Sequence, residues 1–288
     1  MPENEFPKLK PHPFRQPADA MNRVDASVRP PYAELCVTSN YTFLTGASHP
    51  EEFVIQAAQL GYKAIAITDT HTLAGVVRAH VAAKDSGLRL VVGARLRLRD
   101  LAGCDVLVYP TGMESYRRLC RLLTIGKRRA PKGACHLCVE DLAGHAEGLL
   151  GVVVQGTRNN DEFEQGVRHL RPIFDGDRLS LAASVRYGPG DAVLLDRAMD
   201  LSERMSVPLV AVNDACYHHS DRRMLHDVVA CIRQGVTLSQ AGLCLDANAE
   251  RHLKAPEEMH RLFSAHPRAL ARALEIVDGA SGFSLDQL

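Results

Sequence analysis

The chain has no excess of either charge. Its 34 Lys and Arg face 34 Asp and Glu, so it lacks the whole-chain basic excess typical of a dedicated nucleic-acid-binding domain. No apolar run of about 18 residues occurs, which argues against a membrane-spanning helix. The first thirty residues carry six of the fifteen prolines with Lys and Arg, and they lack the apolar stretch of a secretory signal. Eight cysteines are scattered along 288 residues, a length that needs no covalent stapling. Free thiols of a cytoplasmic protein fit them better than a disulfide framework. Cys135-His136-Leu137-Cys138 is a lone CxxC without the second pair a zinc ribbon needs. No glycine-rich dinucleotide fingerprint follows any strand.

What the chain does contain is 46% hydrophobic residues, enough for a sizeable core. Residues 1–31 read as a flexible Pro-rich lead-in. From Tyr32 onward short apolar runs alternate with stretches of helical period. Strands are expected at Ala33–Thr38, Ala64–Thr68, Leu88–Leu98, Asp105–Tyr109, Leu149–Gln155, Leu179–Ala183 and Leu209–Asn213. Helices are expected between them: Pro50–Leu60 with Ser48 as its cap, Leu73–Asp85, Met113–Lys127, a short one near Val139–His145, Asp161–Leu170 and Ala192–Met205. Others follow at Arg222–Gly235, Pro256–Phe263 and Pro267–Asp278. About seven strand–helix units in series imply an α/β fold with a parallel sheet closed, or nearly closed, into a barrel. Chemistry in such barrels sits at the C-terminal ends of the strands.

Those ends carry a resemblance. The first strand runs into Cys36-Val37-Thr38-Ser39-Asn40, the second into Thr68-Asp69-Thr70-His71, the third into Gly93-Ala94-Arg95, and the seventh into Asn213-Asp214-Ala215-Cys216. The block CVTSNYTFLTGASHPEEFVIQAAQLGYKAIAITDTHTLAGVVRAH resembles the opening of a PHP (polymerase-and-histidinol-phosphatase) domain of bacterial C-family DNA polymerases. GLRLVVGARLRL, VPLVAVNDACYHHSDRRMLHDVVACIRQGVTL and NAERHLKAPEEMHRLF resemble the blocks that follow, in the same order. The wording LTGASHPEE, LAGVVRAH and NAERHLKAPEEM is most similar to the error-prone, translesion branch. The resemblance covers about residues 32–288 and implies a PHP-type distorted (β/α)7 barrel over 32–240. It also implies a helical stretch, 241–288, leading toward a polymerase palm domain that the sequence does not include.

PHP domains that are active hold up to three metal ions with His, Asp, Glu and Cys. The metals generate a hydroxide and clamp a phosphoester. Carried over one position at a time, the opening His-x-His falls on Cys36 and Thr38, and the following acidic residue on Thr45. The His after the Thr-Asp pair falls on Thr70, the Glu of the third strand on Arg95, and the His of the fourth on Asp105. The closing Asp-x-His falls on Asp214 and Cys216. Thr hydroxyls are poor ligands for zinc or manganese, and Arg95 brings a fixed positive charge to a place built for dications. The expectation is that the metal site is lost, with no catalytic residue and no metal in this segment. The Arg95 guanidinium is expected to pair with Asp105 or Asp214.

Other readings stand beside this one. Cys36, Asp105, Asp214 and Cys216 could form a new two-thiolate, two-carboxylate site, or be packed as ordinary core residues. His71 lies one position past a ligand position and suits a capping or solvated role, and His218 and His219 read as structural. The basic helix bearing Arg117, Arg118, Arg121, Lys127, Arg128 and Arg129 could touch DNA, dock another domain, or be a solvated face.

The resemblance thus implies the N-terminal PHP module of an error-prone DNA polymerase, a nucleotidyltransferase, with Mg expected only in the palm. The module would be a scaffold for palm and thumb, with the sliding clamp and mutagenesis accessory proteins as further partners and DNA met through the parent enzyme. The alternative is a metal-dependent phosphoesterase with rearranged ligands.

Overall fold

A computed structural model describes residues 29–156 and 160–288. The lead-in expected at 1–31 lies outside the described residues as far as residue 28.

Pro50 opens the first helix, α1 (Pro50–Gln59), with Glu51 and Glu52 in the first turn, where a helix N-terminus favours proline and negative charge. The Glu52 carboxylate accepts a hydrogen bond from the His49 backbone N–H at 2.8 Å. His49, not Ser48, therefore stands at the cap. The Ser48 hydroxyl instead meets the His218 ring at 2.8 Å, so an expected cap ties two loops together.

Among the described residues, eight strands form two sheets. β1 (Ala33–Glu34), β2 (Ala64–Ile67) and β3 (Arg89–Val92) run parallel. Between β2 and β3 lies α2 (Val76–Ser86), closed by Gly87 in the left-handed region at φ 70°. β4 (Ala94–Leu96), β5 (Cys104–Pro110), β6 (Leu149–Gln155), β7 (Leu179–Ala183) and β8 (Leu209–Ala211) form the second sheet in that order. Here β4–β5 and β5–β6 are antiparallel, whereas β6–β7–β8 are parallel. The expectation of a sheet parallel throughout is corrected at these two pairings. The single strand expected at 88–98 is divided at Gly93. A Cβ there would come within 2.8 Å of the Tyr109 ring and 3.0 Å of Thr68 Cγ2, so this packing admits only glycine.

The remaining helices are α3 (Met113–Arg128), α4 (Val139–Ala143), α5 (Asn160–Leu170), α6 (Asp191–Met205), α7 (Arg223–Gln234), α8 (Pro256–Leu262) and α9 (Pro267–Gly279). The strands alternate in what they bury. Ile65, Ile67, Val106, Val108 and Val153 join the helix-side core. Leu35, Ala64, Ala66, Leu107, Tyr109, Val152 and Val210 share a second core with Ala273, Ile276 and Val277 of α9. One face of both sheets thus converges on the same apolar interior, and α9 packs into it. Two isolated parallel bridges, Val37–Ala215 and Thr70–Arg95, join the two sheets beyond their regular ladders.

Leu107 is wholly buried in that interior, whereas the Leu243 side chain is fully exposed. Leu107→Ala is expected to lower unfolding free energy by about 2–5 kcal/mol, and Leu243→Ser by under about 0.5. Urea melts of the two variants check this, and comparable losses would contradict the assignment of the interior.

Candidate functional site

The segments that follow β1, β2 and β8 end on the same side of the sheets. Cys36 and Thr38 follow β1, Asp69 and Thr70 follow β2, and Asp214 follows β8. Arg95 lies in β4, which the Thr70–Arg95 bridge sets beside the end of β2. Because β5 runs antiparallel to β4, the start of β5 returns to this end and brings Asp105 with it.

Arg95 is the centre of the group. Its side chain is 8% exposed and Asp214 is 7% exposed, so the pair is nearly dry. Arg95 Nη2 donates to Asp214 Oδ1 and lies 2.9 Å from Cys36 Sγ, while Nη1 donates to Asp105 Oδ2 at 3.3 Å. The guanidinium therefore pairs with both carboxylates that the sequence offered it. Two more arginines close on Asp214. Arg186 Nη2 and Arg251 Nη2 each reach Oδ2 at 2.8 Å, and Arg251 Nε donates to the Asp214 backbone carbonyl at 3.1 Å. The Cys36 thiol adds a contact to Oδ1 at 3.2 Å. Burial alone would raise the Asp214 pKa, but Arg251, Arg95 and Arg186 hold it well below the usual carboxylate range. Burial and the Asp214 charge push the Cys36 thiol up, which keeps it neutral despite Arg95.

The other expected positions are arranged differently. Thr38 is buried, and its N–H bonds to the Ala215 carbonyl at 2.9 Å. The Thr70 N–H donates to Thr42 Oγ1 at 2.9 Å, and the Thr70 hydroxyl is buried without a partner. Thr45 turns away, its hydroxyl accepting from Arg233 of α7 at 3.2 Å. Cys216 is fully buried, and its N–H bonds to the Arg251 carbonyl at 2.8 Å. His71 meets the residue just past β4, Arg97, whose N–H donates to His71 Nε2 at 2.9 Å. Burial lowers the His71 pKa, and the Arg97 backbone carbonyl offsets this only in part. In the CxxC segment, Cys138 bonds to Asp141 at 3.0 Å, and Cys135 packs against Gly126 of α3. Arg117, Arg121, Lys127, Arg128 and Arg129 are exposed along and just beyond α3, with Arg118 half-buried.

Several residues at this end escaped the sequence analysis. Arg186 lies in the segment after β7, where no motif marks it. Arg251 sits inside the quoted block NAERHLKAPEEM, where only the family pattern was noted. Asp69 is buried and accepts from Ser39 N, Ser39 Oγ and Thr42 Oγ1 at 2.8, 2.7 and 2.7 Å, which folds residues 39–42 over the site. Glu34 is also fully buried. It accepts from the Tyr32 hydroxyl and from the Cys36 and Asn213 N–H groups at 2.6, 2.8 and 2.8 Å. Lys254, 3% exposed, donates to Asn213 Oδ1 at 2.7 Å, extending this network.

The donor set does not suit a cluster of dications. Two carboxylates and one thiol converge here, and a guanidinium already lies among all three. Among the described residues, no group of three or more His, Cys, Asp or Glu side chains is placed to hold a metal ion.

Comparison with known proteins places this geometry in a family. Residues 34–175 match the PHP domain family, and this stretch of the chain is a PHP domain. More particularly, it is homologous to error-prone DNA polymerases. It is 47% identical over 262 residues to the error-prone DNA polymerase of Caulobacter vibrioides, covering 91% of this chain and 24% of that protein. It is 44% identical over 259 residues to error-prone DNA polymerase 1 of Agrobacterium fabrum, covering 90% and 23%. The chain thus spans about a quarter of the length of these relatives. Two solved structures show a looser likeness. One is described as a putative metal-dependent phosphoesterase from Bifidobacterium adolescentis, at 15% identity, TM-score 0.46, covering 65% of this chain and 88% of that one. The other is an amidohydrolase from Chromobacterium violaceum, at 13% identity, TM-score 0.48, covering 62% and 85%.

Two predictions follow from the buried charges. Asp214→Asn leaves three guanidiniums without their shared counter-charge. It is expected to cost about 3–5 kcal/mol in chemical denaturation, more than a surface Asp→Asn change. Burial raises the Glu34 pKa from 4.5 to about 7 despite its three donors. A raised carboxyl contributes stability that is complete below pH 4.5 and is lost as pH rises through 7, about 3 kcal/mol across that window. Glu34→Gln is expected to flatten the decline in stability between pH 4.5 and 7.5. An unchanged slope would refute the assignment.

Proposed function

We propose that this stretch is the N-terminal PHP module of an error-prone, translesion DNA polymerase and acts as a scaffold without metal-dependent hydrolysis of its own. The observation that carries the proposal is the position of the Arg95 guanidinium. It lies among Cys36, Asp105 and Asp214, at positions where the PHP pattern has metal ligands. A covalently held cation meets the acidic demand there, and like charge opposes a dication beside it. Thr38, Thr45 and Thr70 add only neutral hydroxyls.

The same proposal takes the two sheets as an interrupted, distorted PHP barrel over 32–240. The interior shared by both sheets and the two bridges between them support this. Residues 241–288 then lead toward palm and thumb domains, which would bring their own Mg and carry polymerisation. The partners are those domains, with the sliding clamp and mutagenesis factors reached through the assembled enzyme.

The test is to incubate the purified chain with zinc or manganese, desalt it, and measure bound metal. The same preparation is assayed on p-nitrophenyl phosphate and a 3′-mismatched primer. Substoichiometric metal and no turnover above buffer are expected. Stoichiometric metal with turnover that disappears in Asp214→Asn would overturn the scaffold and establish a phosphoesterase with rearranged ligands.

A further inference from the structure

Between Met113 and His136, seven Lys and Arg stand against one Glu in a chain of zero net charge. The structure sorts these cations. Leu119, Leu122, Leu123 and Gly126 form the buried side of α3. At about 100° per residue, Arg117, Arg121 and Arg128 fall within roughly 40° of one another on the opposite side, along about 16 Å of helix. Arg117 and Arg118 face Glu114, Arg118 also meets Glu147, and Arg129 is held by Asp141. Arg121, Lys127, Arg128 and Lys132 have no carboxylate partner among the described residues. Lys127 and Arg128 complement the helix C-terminus, but Arg121 stands mid-helix, where no such benefit exists.

The cationic surface extends past α3. Leu98 bridges Leu137, and the Arg99 N–H bonds to the Leu137 carbonyl at 2.8 Å, so the extension of β4 lies against the segment after α3. Arg97 and Arg99, two residues apart, are both exposed there, and Arg99 meets His136 at 3.5 Å. The surface thus runs from the outer face of α3 toward the rim of the Arg95 cluster.

We propose that this surface, with Arg121, Lys127, Arg128 and Lys132 at its centre, grips the phosphate backbone of nucleic acid without reading sequence. A protein partner fits less well, because docking interfaces need a desolvated apolar core, and none of the large exposed apolar side chains lies on α3. A membrane fits less well too, since the apolar face of α3 is already spent on the core. The inference does not depend on whether Arg95 has displaced a metal, so either can fail alone.

The experiment uses the whole 288-residue chain and a fluorescein-labelled single-stranded 20-mer, followed by anisotropy between 50 and 200 mM salt. Weak, strongly salt-dependent binding is expected, with a dissociation constant on the order of 10⁻⁴–10⁻⁶ M. Arg121→Glu with Arg128→Glu is expected to weaken it at least about tenfold at the lower salt and to flatten the logarithmic salt slope by about 1.4. The milder Arg121→Ala with Arg128→Ala pair guards against misfolding and should shift both quantities in the same direction. Arg171→Glu with Arg197→Glu makes the same charge change on exposed residues elsewhere and should leave binding near wild type. Binding that is absent at 50 mM salt, insensitive to the α3 changes, or equally reduced by the control pair would overturn the proposal. Preference for anionic lipid vesicles over the oligonucleotide would also overturn it.

Discussion

The charged cluster at the C-terminal end of the strands is organised around one buried carboxylate. Asp214 receives Arg95 from β4, Arg186 from the segment after β7, and Arg251 from the stretch between α7 and α8. These are widely separated pieces of chain, and the carboxylate holds them at one point. The arrangement is stable only as a whole. Three guanidiniums around one Asp would repel one another if the charge between them were lost, and the Asp could not ionise in so dry a place without them. Its backbone at φ 50° lies in the left-handed region, which Asp tolerates better than most residues, so the turn after β8 also depends on what occupies this position.

A second buried polar network lies just beneath. Glu34 of β1 ties Tyr32, Cys36 and Asn213 together, and Lys254 reaches Asn213 from the far side. The regular β1 ladder is only two residues long, and β1 and β8 share no ladder, only the Val37–Ala215 bridge. Side-chain hydrogen bonds therefore supply at this seam what backbone pairing supplies elsewhere. The two networks respond to pH in opposite directions. Asp214 is stabilised as an anion by neighbouring cations, whereas Glu34 gains only neutral donors, too little to offset its burial.

Most of the elements were legible in the sequence because local signals agree with the fold. Gly87 closes α2, Pro50 opens α1, and the alternating runs of β5 and β6 fall within a residue or so of where periodicity places them. Strand direction was not legible. Periodicity is the same for parallel and antiparallel pairs, and the reversal at β5 follows from the short connection between β4 and β5, too brief for a helical crossover. At the site, Arg95, Asp105 and Asp214 could be named together because a family pattern aligned them. Arg186 and Arg251 could not, since an arginine in a loop reads as a solvated charge until the fold shows what it faces. The cap at Ser48 failed for a related reason. Its hydroxyl had a distant partner, His218, that no local rule could supply.

Whole-chain charge was a poor guide to surface chemistry here. A net charge of zero argued against a nucleic-acid surface, yet the total averages over carboxylates in other places. Folding spends many of those charges on internal pairs, as with Asp214 and its three arginines. What matters to a polyanion is the set of cations left unpaired on one face, and on α3 helical geometry fixes that set. Placed opposite Leu119, Leu122 and Leu123, the side chains of Arg121 and Arg128 cannot turn inward to find partners, and Arg117 beside them meets only the exposed Glu114. The apolar pattern that anchors the helix therefore also determines which of its charges stay available, and a neutral chain can carry a strongly basic face.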